Sequence, residues 1–141
     1  GSCISIRKFS KKSMTLERLM ELESLSQEVA EFLKLLVQAG YNIFISGGTG
    51  CGKTTFLNAL SAYIPKTDRV ITIEDSAELQ FQNVPNLVRL ETRNANGQGA
   101  EEISIRDLIR TALRMRPDRI VVGEVRGAEA WDMFQAIICT I

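Results

Sequence analysis

The chain has 141 residues, 45% of them apolar, with 17 basic side chains balanced by 17 acidic ones. This is the composition of an ordinary globular domain, and the zero net charge removes the electrostatic argument for nucleic-acid binding, so no nucleic-acid partner is expected. The absence of histidine excludes a His-based triad or a histidine zinc site within the chain, and three scattered cysteines (Cys3, Cys51, Cys139) form no disulfide framework.

In chain order, Ile4 to Phe9 alternates apolar and polar residues and predicts a strand or extended linker. Thr15 to Leu22 predicts a short helix capped by Thr15. A longer helix is predicted from Ser26, with Val29, Phe32, Leu33, Leu36 and Val37 on one apolar face and Gly40 closing its C-terminus. Asn42-Ile43-Phe44-Ile45-Ser46 has strand length and composition, and a helix is predicted after Lys53. Arg69 to Glu74 and Leu87 to Glu91 are β-branched or alternating runs and predict strands. Asn94 to Gly99 is a Gly/Asn turn region. Ser104 with Asp107 forms a capping-box pattern ahead of a helix that buries Ile105, Leu108, Ile109, Ala112 and Leu113. Pro117-Asp118 ends that helix, Arg119 to Gly123 predicts a third buried strand, and Glu129 to Ile138 predicts a helix with Trp131, Phe134 and Ile138 on one packing side. Strands alternating with helices predict an α/β fold with a parallel sheet flanked by helices.

The run Gly47-Gly48-Thr49-Gly50-Cys51-Gly52-Lys53-Thr54 meets the spacing G-x-x-x-x-G-K-T in full. Each residue type there has a physical reason. Glycines let successive backbone N–H groups converge on phosphate oxygens, and the following helix adds its positive N-terminal end. Lys53 supplies a point charge for the β- and γ-phosphates, and the Thr54 hydroxyl suits Mg²⁺. The expected ligands are therefore ATP and Mg²⁺, with Gly48, Thr49, Gly50, Cys51, Gly52, Lys53, Thr54 and Thr55 around the phosphates. Cys51 reads as a small residue between glycines, with redox sensitivity as its alternative.

Hydrolysis needs acids near the phosphates, and a parallel sheet gathers ligands at the carboxyl ends of its strands. Two predicted strands end in acids, at Glu74-Asp75 and at Glu124. Glu74 is the expected general base and Glu124 the expected Mg²⁺ ligand through water, although the two roles are interchangeable at this level. Arg89, Arg93, Arg106, Arg110 and Arg119 are among the arginines open to a finger role across a subunit boundary.

Three segments together resemble one family: Ile45 to Thr55, Ile71 to Leu79, and Leu113 to Gly127. They are similar to the Walker A, Asp box and Walker B motifs of the type II/IV secretion ATPases, nearest the Flp/Tad pilus assembly ATPases and the type IV secretion hexameric ATPases. The resemblance implies a P-loop NTPase with a RecA-like domain. Residues 1–14 would be a linker or strand from an N-terminal domain, and residues 15–141 an incomplete C-terminal ATPase domain that stops before the family's histidine box. It implies ATP hydrolysis that powers pilus assembly or protein secretion, and a homohexamer. It further implies a cytoplasmic position against the inner face of the membrane, with inner-membrane secretion or pilus platform proteins as partners. Arg7 would approach the nucleotide, and Arg89 and Arg93 would reach a phosphate. The missing histidine leaves a second reading, a nucleotide-binding module without turnover. A DNA-translocating RecA-like ATPase is a third.

Overall fold

The computed structural model describes residues 1–4, 14–95, 101–125 and 127–138, with side chains as far as residue 134. All but Ile4 of the expected strand from Ile4 to Phe9, Arg7 included, and most of the Asn94–Gly99 turn lie outside the described residues. So does the side chain of Ile138.

Helices α1 (Leu16–Glu21) and α2 (Gln27–Gln38) open the described fold. The Thr15 and Ser26 side chains accept the backbone N–H groups of Arg18 and Val29, satisfying donors that a helix start leaves open. Gly40 closes α2 at φ 81°, with Tyr41 N–H on Leu36 O and Gly40 N–H on Val37 O. Helix α3 (Lys53–Ser61) follows the glycine loop. Strands β1 (Arg69–Glu74) and β2 (Asn86–Glu91), helix α4 (Ile105–Leu113), strand β3 (Arg119–Val122) and helix α5 (Glu129–Ile138) complete the order. Ser104 and Asp107 form the expected reciprocal capping box on α4.

The sheet is parallel, in the order β2-β1-β3. Alternation along β1 divides the core. Val70 belongs to a cluster with Leu16, Ala30, Val37, Ala59 and Leu60 from α1, α2 and α3. Ile71 and Ile73 face the opposite way, onto Leu108, Ile109 and Ala112 of α4. Apolar groups thus cover both faces of β1, the arrangement expected of an α/β fold.

Four expectations need correction. First, α2 buries Ala30 and Val37, with Leu33 packed beside them, while Val29 is exposed and Phe32 is 59% exposed. The helix carries two apolar stripes, and α1 and α3 cover only one. Second, Asn42–Ser46 pairs with no strand among the described residues. A groove of about 880 Å³ separates it from β3, with Ile43 and Ile45 on one wall and Ile120 and Val121 on the other. Third, β3 is half-buried rather than buried, because it is an edge of the three-stranded sheet. Fourth, Trp131 is 70% exposed and Phe134 is also exposed. Among the described side chains of α5, Asp132 is the buried one, drawn in by ion pairs with Arg106 at 2.9 Å and Arg110 at 3.6 Å from α4. Phe134 instead stacks on Phe44 with ring centroids 5.5 Å apart.

The end of α3 is tied to α1 and α2 by one polar node. Tyr63 O–H donates to Glu17 Oε1 at 2.7 Å, and Lys34 Nζ lies 4.8 Å from the Tyr63 ring centre and 3.6 Å from Glu17. The Tyr63 hydrogen bond, more than any other cause, lowers the Glu17 carboxyl from the usual 4.5 to about 2. A depressed folded value contributes stability above pH 4.5 that is lost as pH falls toward 2. Glu17 is exposed, so the amount is small. Tyr63→Phe should destabilise the chain at neutral pH by about 0.5 kcal/mol. That difference should fade between pH 4.5 and 2, as read from urea midpoints across the range.

Candidate functional site

The glycine loop joins the unpaired segment 42–46 to α3. Gly50 and Gly52 adopt φ of 77° and 92°, which a side chain would strain. Lys53 folds back under the loop, and its Nζ donates to Gly47 O at 2.9 Å and Gly48 O at 2.8 Å. An ammonium has three N–H donors, so these two bonds position it and one donor remains. Gly52 occupies the N-cap of α3 and offers no side chain to the helix start. By contrast, α1, α2 and α4 are each capped by a Ser or Thr oxygen. The first N–H groups of α3 are therefore presented to whatever acceptor enters the loop. Thr54 is half-buried on the first turn, and Thr55 and Cys51 are exposed. A Cβ on Gly47 would lie 2.5 Å from Cys51 Sγ, so the thiol covers the loop's first glycine.

Gly47, Thr49 and Lys53 line one wall of the groove, and Gly123 and Glu124 line the other. The topology thus brings the phosphate loop and the acid after β3 to one opening. Glu74 sits differently. It ends β1 at 3% exposure, and its Oε1 accepts the N–H groups of Glu78 at 2.9 Å and Leu79 at 2.8 Å. Gly123 lies directly over it, and a Cβ there would come within 3.1 Å of Glu74 Cγ. Asp75 takes a short hydrogen bond of 2.5 Å from the Thr92 hydroxyl.

Five of the arginines are engaged within the chain. Arg89 donates to Leu79 O at 3.1 Å, and Arg93 donates to Glu101 O from Nε at 3.3 Å. Arg106 and Arg110 pair with Asp132, and Arg119 pairs with Asp68 and reaches Val37 O at the end of α2. Two residues that the motif reading gave no role of their own prove structural to the site. Gly123 gives Glu74 its seat, and Asn58 accepts the Gln80 N–H at 2.8 Å. Helical spacing was the available signal for Asn58, four residues beyond Thr54 on the same face of α3.

The family model described as type II/IV secretion system protein matches residues 1–139. The chain belongs to the type II/IV secretion ATPase family. A putative conjugal transfer protein of Mycobacterium tuberculosis is 42% identical over 97% of this chain and 39% of its own length. The type IV secretion system protein PtlH of Bordetella pertussis is 46% identical over 75% of this chain and 31% of its own. Among solved structures, the VirB11 ATPase of the Brucella suis type IV secretion system, crystallised with sulphate, superposes with a TM-score of 0.70 at 36% identity. That match covers 92% of this chain and 36% of the Brucella chain. The chain therefore spans well under half the length of these relatives. Among the described residues, no helix is long and apolar enough to cross a membrane.

The seat of Glu74 gives a direct test. A methyl at position 123 must displace a carboxylate already fixed by two amides. Gly123→Ala should cost about 1–3 kcal/mol by overpacking. In a Glu74→Ala background the same change should cost less than half as much, measured as a double-mutant cycle of urea melts.

Proposed function

We propose that this chain is the ATP-binding and hydrolysing core of a motor that powers pilus assembly or protein secretion, nearest the Flp/Tad branch. The observation that carries the reading is the Lys53 ammonium, held on two loop carbonyls beside a helix start that no side chain caps. Positive charge and open N–H donors converge there, and a polyphosphate supplies the acceptors they lack. The sulphate bound to the Brucella VirB11 ATPase supports an oxyanion preference in this family. Residues 15–141 would form part of a RecA-like ATPase domain, with residues 1–14 entering from an N-terminal domain. The parent protein would work as a homohexamer on the cytoplasmic face of the inner membrane, against a secretion or pilus platform protein.

The residues present suit Mg-ATP. Gly48 to Thr55 would surround the phosphates, with Arg7 approaching the nucleotide, and the Thr54 hydroxyl would hold Mg²⁺. The ion would neutralise charge on the phosphate oxygens. Lys53 would add its remaining donor at the β- and γ-phosphates. Of the two acids, Glu124 shares the groove with Lys53, whereas one oxygen of Glu74 is committed to two amides. This favours Glu124 as the group that orients and deprotonates the attacking water, with Glu74 holding the 78–79 turn in place.

Phosphate release by the longer parent protein tests the assignment. Lys53→Ala should abolish nucleotide binding. Glu124→Gln should retain binding and lower kcat by about 10²–10⁴-fold. Glu74→Gln keeps a carbonyl oxygen for the two amides and should lose far less. An inactive Glu74→Gln beside an active Glu124→Gln would return the base role to Glu74. Wild-type ATP affinity in Lys53→Ala would overturn the site.

A further inference from the structure

Residues Glu78, Leu79 and Gln80 follow β1 in a stretch without regular secondary structure. Their backbone N–H groups are nevertheless all held. Glu74 Oε1 accepts the N–H groups of Glu78 and Leu79, Asn58 Oδ1 accepts that of Gln80 at 2.8 Å, and Arg89 Nη1 donates to Leu79 O at 3.1 Å. Leu79 and Phe81 anchor the stretch in the core with α1, α2 and α3. Side chains from three elements thus replace the ladder bonds this backbone lacks.

Asn58 is the member that comes from the helix of the phosphate loop. Thr54 and Asn58 are four residues apart on α3 and so share a face, one turn of about 5.4 Å apart. An anion seated on the N-terminus of α3 acts on a rigid rod whose next turn grips the Glu78–Gln80 stretch. That stretch in turn is clasped by Glu74, against which Gly123 packs immediately before Glu124. The side chain also has the right chemistry. It accepts a hydrogen bond without adding a negative charge one turn below the phosphates.

We propose that Asn58 is a positioning residue that couples nucleotide on the loop to the Glu78–Gln80 stretch, and through Glu74 and Gly123 to Glu124. The proposal rests on the ATP-binding reading above. Asn58 does not touch the nucleotide, so its loss separates binding from turnover.

The test measures affinity for a non-hydrolysable ATP analogue by calorimetry, together with amide exchange of residues 78–81 with and without the analogue, in the longer parent protein. In the wild type the analogue should slow exchange of the Gln80 amide about tenfold. In Asn58→Ala the affinity should stay within about threefold, the nucleotide-dependent slowing should vanish, and kcat should fall about tenfold at unchanged KM. Asn58→Ser, polar but too short to reach Gln80, should behave alike and serves if the alanine variant folds poorly. Asn58→Asp keeps the acceptor, so it should restore protection of Gln80 while weakening nucleotide affinity through its charge. Undiminished nucleotide-dependent protection in Asn58→Ala or Asn58→Ser overturns the coupling, as does a parallel loss of affinity and turnover in both. A wild type that binds no analogue overturns the ATP reading itself, a result distinct from either.

Discussion

The Lys53 ammonium shapes the loop on which the site depends. It donates to two backbone carbonyls of the loop that precedes it. Carbonyls of Gly47 and Gly48 turn inward to meet it, and Gly48 O also accepts the Cys51 N–H. The geometry requires a backbone that bends left-handed at Gly50 and Gly52, which residues with a Cβ rarely do. A lysine without these carbonyls would be a mobile surface charge, and a loop without the lysine would leave two inward carbonyls competing for water. Each half makes the other's conformation affordable.

The balance of charge follows the same local logic. A chain with 17 basic and 17 acidic side chains has no long-range field to draw in an anion. Several arginines are also neutralised within the fold, Arg119 by Asp68, and Arg106 and Arg110 by Asp132. These pairs are structural: Arg119 links β3 to the end of α2, and Asp132 fastens α5 to α4. Affinity for a phosphate chain must then arise from short-range donors placed in advance, which is what the loop provides.

Much of this was legible in the sequence because it depends on local rules. The capping residues Thr15, Ser26 and Ser104, the closing glycine at 40, and the strands at 69–74 and 119–122 each follow from a residue type at a fixed offset. The loop was legible for the same reason. Features decided by long-range packing were not. α2 has two apolar stripes, and periodicity cannot tell that α1 and α3 cover the one bearing Ala30 and Val37. Nothing local to α5 signals the burial of Asp132, because its arginine partners lie 22 and 26 residues earlier in the chain. The seat of Glu74 was hidden because it consists of what Gly123 lacks.

Asn42–Ser46 shows the limit most clearly. Its residues are those of a strand, yet strand character is a relation between two backbones, and propensity supplies only one of them. In place of ladder bonds to β3, the segment is held by the half-buried side chains of Ile43 and Ile45 and by Phe44 stacked on Phe134. The phosphate loop is thus continuous in sequence with a segment fastened by side chains, while Glu124 follows a strand fastened by its backbone to β1. Ladder bonds fix a register to within a fraction of an ångström, whereas apolar contacts tolerate sliding. No ladder of the sheet therefore joins the Lys53 side of the groove to the Glu124 side among the described residues. The stiff route between the two walls runs instead through the sheet, from α3 by way of Asn58, Gln80, Glu74 and Gly123.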